Sequence, residues 1–191
     1  MVSLISRTGR HLQRYRDGRR LVVGCVPYRY KNGEHPSCEN FNSIDDEDEL
    51  EILVITSQKG HGMLFPKGGW ETDESIEEAA LRETVEEAGV KGKVQNKLGE
   101  WGFRSKRYNT IYEGVMFPLL VKEELDLWPE KNRRQRKWLS VAEAREGCQH
   151  WWMKEALEKL IKRLMQQSEE EIISEEEDVT SEGEVAPCAQ S

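Results

Sequence analysis

Residues 68–90 read GGWETDESIEEAALRETVEEAGV, and this stretch constrains the fold more tightly than any other. Residues 74–88 contain neither Pro nor Gly and are rich in Glu, Ala and Leu, a composition that favours helix. Thr72, Asp73 and Ser75 can each cap the start, and Ser75 with Glu78 three places on has the form of a capping box. Gly89 stands where a left-handed turn commonly ends a helix. At about 100° per residue, Glu83 and Glu87 fall roughly 40° apart, with Glu86 about 60° to the other side of Glu83. Three carboxylates on one stripe repel, destabilising an isolated helix by about a few tenths of a kcal/mol per pair. A hard cation reverses that sign. Mg²⁺ or Mn²⁺ prefers carboxylate oxygen and keeps exchangeable waters, leaving room for phosphate oxygens in the same shell. Just upstream, residues 65–69 (FPKGG) are expected to form a short loop. There Gly68 and Gly69 let backbone approach a ligand, and Lys67 offers a point charge to phosphate.

The pattern G-x5-E-x7-R-E-U-x-E-E-x-G-U, with U a bulky aliphatic, is met by Gly68, Glu74, Arg82, Glu83, Glu86, Glu87, Gly89 and Val90, with a departure at Thr84. The segment therefore resembles a Nudix box. That resemblance implies the α/β class, specifically an α/β/α sandwich with a mixed sheet and a loop-helix-loop catalytic box, and a divalent-metal pyrophosphohydrolase activity. It implies Glu83 and Glu87 as principal metal ligands and Glu86 as a further ligand or the general base, the three forming the catalytic set. Arg82 resembles the arginine that braces the box through Glu74, although Glu78, four residues upstream, is a local alternative partner. Thr84 is β-branched and leaves every charged position intact, so reduced packing is expected there rather than lost activity.

Strands are expected over residues 21–30 and 50–57 with an acidic loop at about 33–49 between them, and a hairpin over 93–103 and 110–121 with its turn at 104–109. A short strand at 136–139, a turn of helix near 141–146 and a final helix over 151–167 complete the series. Trp152, Ala156, Leu157, Leu160, Ile161 and Leu164 form the apolar stripe of that last helix. One domain over 1–167 and a disordered acidic tail over 168–191 are the expected organisation, with the tail a possible docking point for a protein partner.

The formal charge is −8 from 28 basic and 36 acidic residues, but nine of the acids lie in 168–191, which has no Lys or Arg. Residues 1–167 carry +1, and seven more acids (Glu39, Asp45, Asp46, Glu47, Asp48, Glu49, Glu51) lie in or beside one loop. The remaining body is basic, which suits a polyanionic small-molecule substrate. No apolar run reaches membrane-spanning length, and no zinc-finger spacing or basic stripe points to nucleic acid. Cys25, Cys38, Cys148 and Cys188 have no disulfide or metal-ligand spacing, so a reducing cytosolic or nuclear setting is expected. The start of the chain, with Arg7, Arg10, Arg14, Arg16, Arg19 and Arg20 against the single acid Asp17, partly resembles a transit peptide, and organellar import is the lesser expectation.

Beyond the box, residues 12–15 (LQRY), 24–29 (GCVPYR), 65–71 (FPKGGWE) and 128–138 resemble plant Nudix hydrolases related to diphosphoinositol polyphosphate phosphohydrolases, a likeness spanning roughly residues 2–164. The resemblance implies cleavage of a phosphoanhydride in an inositol pyrophosphate. The alternatives are nucleoside-diphosphate derivatives, namely a dinucleoside polyphosphate, ADP-ribose or capped RNA. A noncatalytic polyphosphate-binding module with a partner-binding tail is a reading of another class, against which the intact Glu83, Glu86 and Glu87 count. So many phosphates need several cations. Lys67, Gly68, Gly69, Arg20, Arg104 and Arg134 are the expected substrate contacts, with Lys59, Lys106, Arg107 and Arg133 further candidates. Trp101, Tyr108, Trp151 and Trp152 are candidates to stack on a base, and His150 to reach phosphate.

Overall fold

The computed structural model describes residues 5–31, 33, 46–58, 62–105 and 110–181, with side chains described as far as residue 167. Among these, nine strands join in one mixed sheet: β1 (Tyr15–Arg16), β2 (Arg19–Tyr30), β3 (Leu50–Thr56), β4 (Met63–Leu64), β5 (Lys67–Gly69), β6 (Val90–Val94), β7 (Gly99–Ser105), β8 (Thr110–Glu124) and β9 (Arg136–Ser140). The spine runs β4-β3-β2-β8-β6. Its central pair, β2 and β8, is parallel, from Arg20↔Tyr112 to Tyr28↔Leu120, whereas β3 and β5 pair antiparallel with β2.

Side chains of a strand alternate between faces, and here the alternation divides two cores. Val23 and Cys25 of β2, Leu53 and Ile55 of β3, and Val115, Phe117 and Leu119 of β8 pack on one face against Ala79, Ala80 and Ala88. These alanines belong to α1 (Ile76–Ala88), and their small size lets the helix lie close to the sheet. On the opposite face Val26, Tyr28, Ile52, Val54 and Met116 meet α2 (Val141–Gly147) and α3 (Trp151–Ser181). Trp152, Leu157, Leu160 and Leu164 supply the α3 contribution, as its apolar stripe requires. The result is an α/β/α sandwich.

Several elements differ from expectation. Residues 93–103 are two strands rather than one hairpin arm: β6 pairs with the far half of β8, ending at Val94↔Leu119, and β7 takes up the near half from Gly99↔Met116. Between them the chain leaves the ladder but keeps it anchored, with the Gln95 N–H donating to Pro118 O at 3.2 Å and the Leu98 N–H to Met116 O at 2.8 Å. Of the expected turn, Arg104 and Ser105 belong to β7, and residues 106–109 lie outside the described residues. Residues 67–69 of the expected glycine loop are strand β5. β5 can reach β2 because Gly24 has no side chain: a Cβ there would stand 2.3 Å from Pro66 O.

The final helix is also longer than the expected 151–167. Helix α3 continues through Ser181, well past residue 167, and residues 182–191 lie outside the description. Glu is a good helix former, no Pro or Gly interrupts residues 151–181, and nucleation is already achieved on the packed first turns. Low apolar content forbids a core; it does not forbid extending a helix that has one. In the acidic loop, residues 34–45 lie outside the description, but Asp46–Glu49 is a short 3-10 helix held by Arg145, which donates to both Glu47 oxygens at 2.6 and 2.9 Å.

Candidate active site

Helix α1 is fixed at both ends. The Glu78 N–H donates to Ser75 Oγ at 3.1 Å, the Ser75 N–H donates back to Glu78 Oε2 at 2.7 Å, and Gly89 closes the helix at φ 65°. The reciprocal cap satisfies two otherwise orphaned groups and sets where the first turn begins. Thr84 is fully buried toward the sheet, and its hydroxyl donates to Ala80 O at 2.8 Å, so the departure from an aliphatic leaves no unsatisfied polar group.

The stripe beside Thr84 on α1 carries the acids. Glu83 lies directly over the β5 backbone, where a Cβ on Gly68 would stand 2.1 Å from its carboxyl carbon. The Glu87 carboxylate accepts the Lys67 N–H at 2.8 Å and is paired with Arg134. Arg82 is bidentate to Glu74, at 2.7 and 2.8 Å, and also donates to Gly69 O at 3.0 Å and Glu83 at 2.7 Å, with Glu86 at 3.5 Å. Its partner is thus Glu74 rather than the local alternative Glu78. Burial would raise the Glu74 carboxyl, but the bonds from Arg82 and from the Glu71 N–H outweigh it and hold the group below the usual carboxylate range.

For the stripe itself the balance is reversed. Burial pushes Glu83 up to about 8 against the pull of Arg82, with Glu87 and Glu86 reinforcing the rise. Burial raises Glu86 and Glu87 as well. Among the described residues, no three acid, His or Cys side chains converge as metal ligands in their present rotamers, since Glu83 and Glu86 lean on Arg82 and Glu87 on Arg134. The donor set nevertheless fits a hard divalent cation: oxygen only, within little more than one helical turn, and desolvated so that its own negative charge is costly.

A cavity of about 660 Å³ opens beside β5. Arg20, Lys67, Gly68 and Arg104 line it, so four of the six expected substrate contacts share one space. Gly69 does not; it is buried against Gln13, whose amide oxygen would stand 1.6 Å from a Cβ there, so its bareness serves packing. Arg134 does not line the cavity either. It is buried between Glu87 and Glu130, bonding the latter at 2.6 Å, because two carboxylates in a desolvated place need a cation more than solvent-facing phosphate does. Arg133 is exposed in a separate cleft with Thr56 and Gln135, while Lys59, Lys106, Arg107 and Tyr108 lie outside the described residues.

Trp101 and Trp152 are core residues: the Trp101 Nε1–H donates to Glu155 at 2.8 Å, and Trp152 stacks on Phe103 with ring centroids 4.5 Å apart. Trp151 is 55% exposed and, with His150, stands at the cavity wall. Sequence reasoning missed Glu130, Gln13 and Arg7. Glu130 reaches the site through its N–H, which donates to Glu86 O at 3.0 Å, a loop-to-helix contact with no periodic signature.

A mixed sheet between helices, with an acid-striped helix set against a glycine strand at the mouth of a cation-lined cavity, defines a class: phosphoanhydride hydrolases that work with a divalent ion. The NUDIX domain family model matches residues 41–164, and the chain belongs to the Nudix hydrolase family. Nudix hydrolase 17, mitochondrial, of Arabidopsis thaliana is 60% identical over 174 residues, covering 90% of this chain and 91% of its own. Nudix hydrolase 18, mitochondrial, of the same plant is 60% identical over 164 residues, covering 86% and 89%. Mus musculus diphosphoinositol polyphosphate phosphohydrolase 3-alpha is 36% identical over 110 residues, covering 56% and 64%. A C. elegans Ap4A hydrolase, solved as a binary complex, superposes with a TM-score of 0.54 at 20% identity over 75% of this chain and 96% of its own, a likeness of fold.

The cytosolic or nuclear expectation is corrected by the two Arabidopsis relatives, whose names place them in mitochondria. Free thiols, such as the buried Cys25 and Cys148, separate reducing from oxidising surroundings and say nothing about which reducing compartment.

Proposed function

We propose that the chain hydrolyses the phosphoanhydride of a diphosphoinositol polyphosphate, using Mg²⁺ or Mn²⁺, in a mitochondrion. One observation carries the reading: Lys67 joins the two halves of the site, its N–H bound to Glu87 at 2.8 Å while the residue lines the cavity with Arg20 and Arg104. Glu83 and Glu87 would hold the metal, with Glu86 a third ligand or the base. The ion, when bound, neutralises phosphate charge and lowers the pKa of attacking water. Lys67, Arg20 and Arg104 grip the flanking phosphates, and charge-assisted contacts of this kind are the strong ones. The mouse relative's name and the basic body of the chain support an inositol pyrophosphate over a simpler diphosphate.

A second reading is a dinucleoside polyphosphate. It is favoured by the aromatic part of the cavity wall, Phe103 and Trp151, which suits stacking on a base. Side-by-side turnover of inositol pyrophosphates, diadenosine polyphosphates and ADP-ribose with Mg²⁺ or Mn²⁺ separates the two. Release of orthophosphate from inositol pyrophosphates is expected, and cleavage of the dinucleotides alone would reject the first reading. Glu87→Gln is expected to lower turnover by at least about 100-fold, and unchanged turnover would reject the ligand assignment.

A further inference from the structure

Residues 5–16 form a strap that crosses the acid-bearing side of α1. The Arg7 N–H is shared by both oxygens of Glu86 at 3.3 Å. The Arg7 guanidinium reaches Glu71 at 2.6 Å and Asp73 at 2.9 Å, with Glu74 at 4.0 Å, and so spans the turn that leads into α1. Ser6 Oγ lies 3.5 Å from Glu130. Downstream the strap is sewn to the same turn: Arg14 donates to Glu71 O at 2.9 Å and Thr72 O at 3.0 Å, and the Thr72 N–H donates to Leu12 O at 2.8 Å. Gln13 accepts from Arg20 of the cavity wall at 2.8 Å.

We propose that Arg7 is a positioning residue for the hydrolytic site: its side chain anchors the strap to Glu71 and Asp73 so that its own N–H fixes the carboxylate of Glu86. The inference rests on the proposed role of the acid stripe, and it gives the arginine-rich start of the chain a task in the folded protein. Besides the bonds of the helix itself, the Glu86 carboxylate is met by Arg82 at 3.5 Å, and its carbonyl accepts the Glu130 N–H. Without the strap, the carboxylate that completes the stripe is held by one long bond. Groups that orient a metal ligand through one hydrogen bond are worth about 10–100-fold in affinity or rate when removed.

The test uses the full chain as wild type, Arg7→Ala and Arg7→Lys, with Mn²⁺ affinity by calorimetry, steady-state turnover of an inositol pyrophosphate, and the thermal midpoint. Arg7→Ala is expected to weaken Mn²⁺ binding by about tenfold and to lower kcat by a similar factor with KM within about twofold, and Arg7→Lys to recover part of both. The midpoint is expected to move by no more than about 3 °C. Unchanged Mn²⁺ affinity and kcat would overturn the proposal, as would losses that track a large fall in the midpoint, which would mark a merely structural brace. If the wild type binds Mn²⁺ but leaves inositol pyrophosphates intact, the substrate reading fails, and the Mn²⁺ comparison still decides the role of Arg7.

Discussion

Gly68 is bare because Glu83 occupies the space its side chain would fill, and Glu74 is ionised because Arg82 faces it. The two residues show how the site balances charge: one carboxylate is neutralised within the chain, while those on the stripe are raised by burial. The Glu74 group has a folded value below its ordinary 4.5. The unfolded chain therefore binds the extra proton first, and the stability that ionised Glu74 contributes is complete above about pH 4.5 and lost as pH falls through the lowered value. Glu74→Gln is expected to destabilise by about 2 kcal/mol at pH 7, since it leaves the part-buried Arg82 short of a charge. Denaturant titrations across pH should show the gap between mutant and wild type shrink below pH 4.5; a constant gap down to about pH 2 would reject this account of Glu74.

At the scale of elements, α1 was legible almost to the residue, because Ser75, Glu78 and Gly89 are local signals acting within one turn of the helix they bound. Ser75→Ala is expected to cost about 1 kcal/mol, readable as a lowered denaturation midpoint with an unchanged slope. The strands β2 and β3 were equally readable from their apolar runs. β5 was not, since three residues rich in glycine carry no periodicity and become a strand only when Gly24 lets β2 approach. The division of β6 from β7 was hidden for a related reason: it is decided by the register each keeps with β8. Helix α3 runs past residue 167 because continuing a helix needs only propensity and a nucleus, whereas acidity argues only against burial.

Across the whole molecule, the two cores are set by strand alternation, and Trp152 ties the second core to the cavity through its stack on Phe103. Trp152→Ala is expected to destabilise by about 3–5 kcal/mol in chemical denaturation and to loosen the aromatic wall; a loss below about 1 kcal/mol would show that the wall is not part of the core. By itself the sequence determined the box, its helix and caps, the acid stripe and the apolar faces, because these depend on spacings of a few residues and on the helical and strand periods. Only the tertiary structure decided that Arg134 neutralises Glu87, that Gly69 makes room for Gln13, and that Arg7 crosses back to Glu86. Those pairings join residues far apart in the chain, and a buried charge selects its partner by the space and desolvation around it, which exist only once the sheet and helices have packed.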